Sequence, residues 1–475
     1  MPRPTILRLM VLALCLVAAD AFAAEATNRP NILFVLIDDM GYGGLSCYGG
    51  KRVETTHMDA LAREGVRFTQ FYVNAPICSP SRVALTTGQY PGRWGITSYL
   101  DHREADRRRG QADWLSLEAP SLARFLAKAG YYTAHVGKWH MGGQRDVGDA
   151  PLIAEYGFAA SLTNFEGLGE RVLPVFEPGP DGRPFEHRPT QMNARLGGPI
   201  QWVDRHKVTE VFVDRAIKEI QKAVEADRPF YLNLWLDDVH TPLQAPPGLR
   251  GDGSREANYL GVMKAMDTQL GRLFDFIRSQ PALRDKTLIL LASDNGHEPG
   301  CGSSGGLRGS KATLYEGGIR SPLIAWYRGI PASAVGTSND QTLLAGMDLP
   351  PSLLAMAHVP PPDDVVFDGL NMAEALCGRA TPKRNQPIMW VRPPDRPGPN
   401  RGWPDLAIRD GDWKLLVNRN GSKPELFNVI DDPHESTNLA DKHPEMVQRL
   451  SARVIEWAKH NGGRPTSRGS SGDGQ

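Results

Sequence analysis

Four apolar runs of the chain each end abruptly in a group of polar side chains. The runs are Asn31–Ile37, Tyr131–Val136, Pro229–Leu236 and Thr287–Ala292. Uninterrupted apolar runs of this length are typical of parallel strands that are buried on both faces of a sheet. The pattern therefore predicts four buried strands whose last residues open onto polar turns.

Stretches with helical periodicity lie between these runs. Two of them are Ser121–Ala129, which Gly130 closes, and Val208–Ala226. Strands that alternate with helices predict an α/β fold, in which helices cover both faces of a large, mainly parallel sheet. Ligands of such sheets bind beyond the carboxyl ends of the strands, so we expect the polar groups to share one rim.

The polar groups at the strand ends combine acids, an amide, histidines and a lysine. One strand end of this kind is most simply a solvated turn, but four of them together favour a functional rim. Carboxylate and amide oxygens are hard ligands, which predict a site for calcium, or less readily magnesium, rather than zinc. The rim residues are Asp38 and Asp39 after the first run, Lys138 and His140 after the second, His240 after the third, and Asp294 and Asn295 after the fourth.

The segment around Cys78 has the features of a reactive helix start. Pro80 predicts extended or turn backbone just before it, and Ser81 predicts the cap of a helix that begins near Arg82. A cysteine beside a helix N-terminus and an arginine lies next to an anion site. The simpler alternative is a buried structural cysteine, because free cysteines are often only packed in the core.

The whole string Cys78-Ser-Pro-Ser-Arg82, followed by Thr87-Gly88, resembles the signature of the formylglycine-dependent (type I) sulfatases. These enzymes are a branch of the alkaline phosphatase superfamily. The acid and amide pairs at the strand ends match the same family, as does the Lys138–His140 segment. His240 lies at a matching position, and Lys311–Arg320 resembles the family pattern Lys-x4-Glu-Gly-Gly-x-Arg. The resemblance spans nearly the whole mature chain.

The resemblance implies a sulfuric ester hydrolase whose nucleophile is made from Cys78. A maturation enzyme would oxidise this cysteine to the aldehyde formylglycine, whose hydrate attacks the sulfur of a sulfate ester. One divalent ion, usually calcium in this family, would be held by the acids and the amide together with the modified residue. The implied metal ligands are Asp38, Asp39, Asp294, Asn295 and residue 78.

The resemblance also implies a role for each cation and base of the rim. Lys138, Lys311 and Arg82 would hold the sulfate and disperse its growing charge. Asp38 or Asp39 would deprotonate the aldehyde hydrate, and His240 with Lys311 would protonate the departing alcohol. His140 would take the proton of the second hydroxyl. Some relatives place a further hydrogen-bonding residue after the Gly-Lys-x-His segment, for which Asn164 and Glu166 are open alternatives.

The ends of the chain predict an exported protein with a small second subdomain. Residues 1–23 carry an arginine-flanked apolar run and an Ala-x-Ala site, typical of a cleavable signal peptide that leads to the periplasm or to secretion. We expect the catalytic domain over 27–384 and, over 385–463, a small antiparallel sheet followed by a helix. The Gly/Ser-rich residues 464–475 predict a disordered tail.

Charge and cysteine content exclude several other classes of protein. Lys plus Arg equals Asp plus Glu, at 54 each, which gives no support for nucleic acid or an anionic membrane as partner. No segment after the leader is apolar enough to span a membrane. Four cysteines remain in the mature chain, too few for a disulfide scaffold, and conversion of Cys78 leaves at least one of the others unpaired.

The sequence constrains the substrate less than it constrains the reaction. Export, an Arg-rich polar segment over Trp94–Gln111 and a long loop over Leu168–Pro199 favour a sulfated sugar over a simple aryl sulfate. Three other readings stay open: an arylsulfatase of broad specificity, a phosphoryl-transfer enzyme of the same superfamily, and a calcium-dependent glycan-binding relative without catalysis. The Cys78 string and the lack of a second rich ligand set argue against the phosphoryl-transfer enzyme. The intact nucleophile, metal set and Lys/His pairs argue against the glycan-binding relative, because a binder has no need of a general acid.

Overall fold

The computed structural model describes residues 29–178, 183–393 and 403–461. Its centre is a nine-stranded sheet. Eight of the strands are neighbours in the order β10-β2-β9-β8-β1-β7-β3-β4, and the ninth, β11, pairs with β2. The strands, numbered in chain order, are β1 (Asn31–Ile37), β2 (Val66–Tyr72), β3 (Tyr132–Gly137), β4 (Ala160–Leu162), β5 (Arg171–Val175), β6 (Ile200–Asp204), β7 (Phe230–Trp235), β8 (Thr287–Ser293), β9 (Arg320–Trp326), β10 (Thr337–Asn339), β11 (Leu344–Ala345), β12 (Ile388–Val391), β13 (Leu406–Asp410), β14 (Trp413–Val417) and β15 (Glu425–Asn428).

Helices cover both faces of this sheet, and short helical turns lie at its rims. In chain order the α-helices of the described ranges are α1 (Thr56–Glu64), α2 (Cys78–Thr87), α3 (Arg103–Arg109), α4 (Leu122–Lys128), α5 (Arg188–Ala194), α6 (Val208–Glu225), α7 (Arg255–Arg278), α8 (Pro281–Arg284), α9 (Glu316–Ile319), α10 (Leu349–Met356), α11 (Ala373–Leu376) and α12 (Pro444–Asn461). None of these helices is both long enough and apolar enough to cross a membrane.

The four predicted strands are neighbours in the sheet, in the order β8-β1-β7-β3, and all three pairings are parallel. The prediction of a mainly parallel α/β sheet is therefore confirmed. Among the pairs of this strand order, only those that β9 makes with β8 and with β2 are antiparallel. Since parallel strands end on the same side, the polar residues after β1, β3, β7 and β8 meet at one edge.

Burial on both faces explains the uninterrupted apolar sequence of β1. Ile32, Phe34 and Leu36 belong to one core cluster, whereas Leu33 and Val35 belong to the cluster on the opposite face. The first cluster includes side chains of α4 and α10, and the second includes side chains of α6 and α7. A polar residue on either face would be buried without a partner, so polar residues appear only where the strand ends.

The C-terminal part forms the small antiparallel sheet and helix that the sequence predicts. Strands β12 to β15 pair in chain order, and α12 packs on them. This sheet docks on the larger one through a buried charge cluster in which Lys414 contacts Glu316 and Glu435, each at 2.9 Å. The predicted signal peptide, the Gly/Ser-rich tail and most of the Pro-rich loop before β13 lie outside the described residues.

Candidate active site

Three carboxylates converge where β1 and β8 end. Ligand oxygens of Asp38, Asp39 and Asp294 lie within 4.8 Å of one another, and all three residues are fully buried. Burial and the adjacent Asp38 carboxylate raise the pKa of Asp294 well above its usual value. Three acids placed this close need positive charge nearby, because like charges in a dry site repel strongly.

The oxygens of this group suit a bound calcium ion. The Oδ1 atoms of Asp38 and Asn295 are buried and accept no hydrogen bond. The Asn295 amide donates to Asp39 over 2.7 Å, which orients its own oxygen atom. Carboxylate and amide oxygens without competing donors are the ligands that calcium prefers, so these residues fit the predicted ion.

Each acid at the end of β1 also has its own lysine. The Lys138 Nζ atom lies 2.6 Å from Asp38, and the Lys311 Nζ atom lies 2.5 Å from Asp39. Although burial acts in the opposite direction, Lys138 brings the pKa of Asp38 well below its usual range. Both acids therefore carry negative charge at neutral pH.

Cys78 is the first residue of α2, which begins four residues earlier than the sequence predicts. Ile77 precedes it in extended conformation (φ −154°, ψ 156°), and the Ser81 hydroxyl donates to the Ala75 carbonyl at 2.7 Å instead of capping the helix. Pro80 falls within the first turn, where a missing N–H leaves no helical hydrogen bond unmade. Cys78 therefore lies at the positive end of the helix dipole.

The surroundings of Cys78 favour negative charge on its side chain. The residue is only 2% exposed, and burial alone would raise its pKa. Lys138 and His140 outweigh burial and lower the pKa of the thiol to about 7. The site is therefore electropositive where a nucleophile and an anionic substrate would meet.

Arg82 is fully buried beneath the rim and does not line the cavity. Its Nε and Nη2 atoms donate to Asp294 at 3.1 and 2.8 Å, and its Nη1 atom donates to the Lys138 carbonyl at 2.7 Å. Three of the five N–H groups of Arg82 already serve Asp294 and the backbone of Lys138, which favours a role in orienting Asp294. The expected contact of Arg82 with the sulfate stays a prediction.

His140 is held by two acceptors at one ring nitrogen. Its Nε2 atom lies 2.8 Å from the Leu100 carbonyl and 2.9 Å from Glu166, whereas its buried Nδ1 atom has no hydrogen-bond partner. Burial would lower the pKa of His140, but the charge of Glu166 raises it to about 9. Of the two residues that the sequence left open here, Glu166 reaches His140, whereas Asn164 donates to Asp237 at 3.3 Å.

A backbone turn after β3 gives Lys138 and His140 their positions. Gly137 has φ +110°, and a Cβ atom at this residue would lie 1.9 Å from the Trp235 carbonyl oxygen. Only glycine therefore fits between β3 and the β7 strand end. The turn sends Lys138 to the acids and His140 to the cavity.

His240 and Lys311 both approach the Asp39 carboxylate at the rim. The His240 Nδ1 atom contacts the Thr241 carbonyl at 2.6 Å, and its Nε2 atom lies 3.6 Å from Asp39. Burial and the positive charge of Lys311 lower the pKa of His240 to about 4. Asp39 in turn raises the pKa of Lys311 well above its usual value, although burial opposes this.

These side chains open onto a cavity of about 760 Å³. Cys78, His140, His240 and Lys311 line it, whereas Lys138 lies just beneath. Both segments that the sequence proposed for substrate contact reach the walls, and Trp403 reaches the cavity from the C-terminal part. The further polar and aromatic lining residues are Tyr99, Asp101, His102, Arg145, Glu166, His187, Arg188, Thr241, Glu298, Ser310 and Trp403.

Comparison with known proteins places this geometry in a family. The family model named Sulfatase matches residues 30–359. The chain is 33% identical to dog (Canis lupus familiaris) N-acetylgalactosamine-6-sulfatase, over 80% of this chain and 72% of the relative. It is 30% identical to human (Homo sapiens) arylsulfatase A, over 92% of this chain and 84% of the relative.

Solved structures give the same answer for the fold. The crystal structure of Ps i-CgsB in complex with k-i-k-neocarrahexaose superposes with a TM-score of 0.75 at 25% identity, and the match covers 92% of this chain and 94% of that one. A sulfatase from Pseudoalteromonas sp., PsFucS1, has a TM-score of 0.70 at 24% identity over 98% of this chain and 96% of that chain.

The chain thus belongs to the sulfatase family of the alkaline phosphatase superfamily. It is a sulfuric ester hydrolase. This assignment favours the sulfatase reading over the phosphoryl-transfer and glycan-binding alternatives.

Proposed function

We propose that this enzyme is exported and hydrolyses a sulfate monoester of a carbohydrate, with formylglycine at residue 78 and one bound calcium ion. The observation that carries the proposal is the position of Cys78. It begins α2 and lies against Lys138, His140 and Lys311, beside three converging acids. Such a site attracts an anionic ester and favours charge on the attacking oxygen.

Two lysines would bind and polarise the sulfate group. Lys138 and Lys311 keep their protons because each contacts a buried carboxylate of the rim. Calcium, held by Asp38, Asp39, Asp294 and Asn295, would supply further positive charge at the same place. Because calcium would then balance the charge of Asp38 and Asp39, the ammonium groups of Lys138 and Lys311 would be available to bind the ester oxygens.

The nucleophile needs a base, and the side chains of β1 provide one. A hydrated aldehyde supplies two hydroxyl groups on one carbon, so that one can attack sulfur while the other later releases the product. Asp39 or Asp38 would accept the proton of the attacking hydroxyl, since both carboxylates are ionised. A thiol or a serine hydroxyl lacks the second hydroxyl and would remain esterified.

Two histidines would move the remaining protons. The Nδ1 atom of His240 is held by the Thr241 carbonyl, so its Nε2 atom would donate to the departing alcohol once a bound anion has helped to protonate the ring. Lys311 lines the same side of the cavity and would assist this donation. Leu100 and Glu166 occupy the Nε2 atom of His140, so its Nδ1 atom is the one left to act on the second hydroxyl. Because the pKa of His140 is raised to about 9, the ring would accept this proton in its neutral form, which is the minor form near pH 7.

A sugar fits the cavity better than a small aromatic ring. The walls combine Tyr99 and Trp403 with several polar side chains, such as Asp101 and His102, and sugars offer both apolar faces and hydroxyl groups to such surfaces. The relative N-acetylgalactosamine-6-sulfatase is named for a sulfated amino sugar, and Ps i-CgsB was solved with a neocarrahexaose. Export follows from the leader pattern of residues 1–23.

Mass spectrometry of the peptide that contains Cys78 tests the proposal most directly. Protein produced together with a formylglycine-generating enzyme should show the mass loss of an aldehyde at residue 78 and should release sulfate from sulfated saccharides. The Cys78→Ala variant should fold, bind calcium and release none. Full activity of that variant, or full activity of unconverted protein, would falsify the proposed nucleophile.

A further inference from the structure

Arg188 differs from the other arginine and lysine side chains that line the cavity. Lys311 contacts Asp39, and Arg145 contacts Glu166 at 2.9 Å. Arg188 is exposed and has neither an ion pair nor a hydrogen bond from its side chain to any described residue. One full positive charge on the cavity wall is therefore free to meet a ligand.

The backbone that carries Arg188 is firmly anchored. Asn193, on the same helix α5, is fully buried and donates to the Gly143 carbonyl at 2.8 Å. The Arg171 Nη1 atom donates to the Asn193 carbonyl at 2.9 Å. Arg188 thus extends from a fixed element rather than from a loose loop, which limits the entropy that a bound ligand must remove.

Neighbouring groups on this wall do not cancel the charge of Arg188. Asp101 lies 3.5 Å from Arg145, which also holds Glu166, so both acids already have a cation. His187 packs its ring against Phe165 with a centroid distance of 5.0 Å. Burial lowers the pKa of His187 to about 4, so this ring is neutral and can only exchange hydrogen bonds.

We propose that Arg188 forms an anion subsite that binds a second oxyanion of the substrate, next to the sulfate that is hydrolysed. Sulfate esters and carboxylates each present two anionic oxygens on one atom, which a guanidinium can bind with two N–H groups. The preferred substrate is therefore a saccharide with an additional sulfate or with a neighbouring uronate. This proposal rests on the proposed function in one respect, namely that the group hydrolysed next to the subsite is a sulfate ester.

Binding measurements test the subsite without any turnover. The protein is the full-length Cys78→Ala variant in the presence of calcium. Titration calorimetry measures its affinity for three probes at one ionic strength. The first probe is N-acetylgalactosamine 6-sulfate, which carries one anion. The second is N-acetylgalactosamine 4,6-disulfate, and the third is a disaccharide with a uronate next to N-acetylgalactosamine 6-sulfate. The second and third separate sulfate from carboxylate as the source of the extra anion.

Arg188→Gln should weaken the binding of at least one two-anion probe about fivefold, as expected for a partly exposed charge-assisted pair, and the one-anion probe less than twofold. Arg195→Gln is the matched control. Arg195 is exposed at the end of the same helix and lies outside the cavity lining, so its loss should change none of the affinities.

Two results would overturn the subsite. One is that the parent protein binds neither two-anion probe more tightly than the one-anion probe. The other is an equal loss on all three probes in Arg188→Gln. Failure of the proposed function would give a different result. Enzyme with formylglycine at residue 78 would then hydrolyse none of the probes, while the binding that depends on Arg188 persisted.

Discussion

Arg82 lies fully buried under the catalytic rim, where its guanidinium donates to Asp294 and to the backbone carbonyl of Lys138. We expect Arg82→Ala to lower the free energy of unfolding by about 3–5 kcal/mol, because it leaves a buried carboxylate without its partner. Urea unfolding in the presence of calcium measures this loss. Activity on aryl and sugar sulfates should fall together, since the change disturbs the metal-site acid rather than one proton transfer.

Arg93→Ala provides the comparison for Arg82. Arg93 also pairs with an aspartate, Asp368, at 2.6 Å, but 48% of its side chain is exposed. Removal of this pair should cost less than about 1 kcal/mol. Equal losses for the two variants would mean that Arg82 contributes no more than a surface ion pair.

His240 can be tested through the leaving group. His240→Ala should reduce turnover of a sulfated sugar by roughly a hundredfold or more, because a sugar alkoxide leaves poorly without a proton. Turnover of an activated aryl sulfate should fall much less, since nitrophenolate scarcely needs one. Steady-state kinetics on both substrates measures the difference.

Equal losses on both substrates would assign His240 to sulfate binding or to structure. Lys311 would then be the better candidate for the acid, because it lines the same cavity and keeps its proton through Asp39. The pKa of His240, near 4 in the metal-free protein, means that a bound anion must help to protonate it.

At the level of secondary structure, the ends of β1 and β8 together supply the residues of the proposed calcium site. Calcium should raise the thermal unfolding midpoint, because it neutralises Asp38, Asp39 and Asp294, which repel one another in the buried site. In Asp294→Asn the calcium-induced shift should be smaller by at least half, since one carboxylate ligand is lost. Differential scanning calorimetry with EDTA or calcium measures both shifts, and equal shifts would place the ion elsewhere.

The strands were predictable because their signal is local. Burial on both faces requires apolar residues from Ile32 to Ile37 in β1, so the acids that follow mark the edge of the sheet without any tertiary information. The start of α2 was predicted wrongly, because Pro80 is compatible both with the turn before a helix and with its first turn. The extended backbone of Ile77 and the hydrogen bond from the Ser81 hydroxyl to the Ala75 carbonyl show that Pro80 lies in the first turn of the helix.

Residues that act through long-range contacts could not be assigned from the sequence. Glu166 follows the short strand β4 with no motif of its own, and its role depends on where His140 lies in three dimensions. Trp403 precedes β13, whose partners belong to the small sheet, yet its side chain reaches the cavity. For Glu166 the sequence offered only a choice with Asn164, and nothing in the sequence indicates that Trp403 approaches the cavity.

On the scale of the whole molecule, Lys414 connects the two sheets through Glu316 and Glu435. Burial raises the pKa of Glu435 to about 7, above its value of about 4.3 in an unfolded chain. The folded protein therefore binds the proton more tightly, and this residue makes stability fall as the pH rises from about 4.3 to 7.

Glu435→Gln should remove that pH-dependent loss. We expect the variant to gain about 2 kcal/mol in unfolding free energy relative to the parent between pH 5 and pH 8. Urea unfolding at the two pH values measures the gain, with Glu445→Gln, an exposed substitution on α12, as the control. An unchanged difference at both pH values would show that Glu435 stays ionised when the two sheets dock.

The strand order also has a consequence for biosynthesis. β1 is the first strand of the described chain to be made, yet Asn31 meets Phe230 199 positions later, and Asp39 meets Asn295 256 positions later. A ribosome adds about 5–20 residues per second, so the first strand waits many seconds for its neighbours. During that time the apolar side chains of β1 lack their neighbouring strands, and the proposed calcium site can form only after β8 has been made.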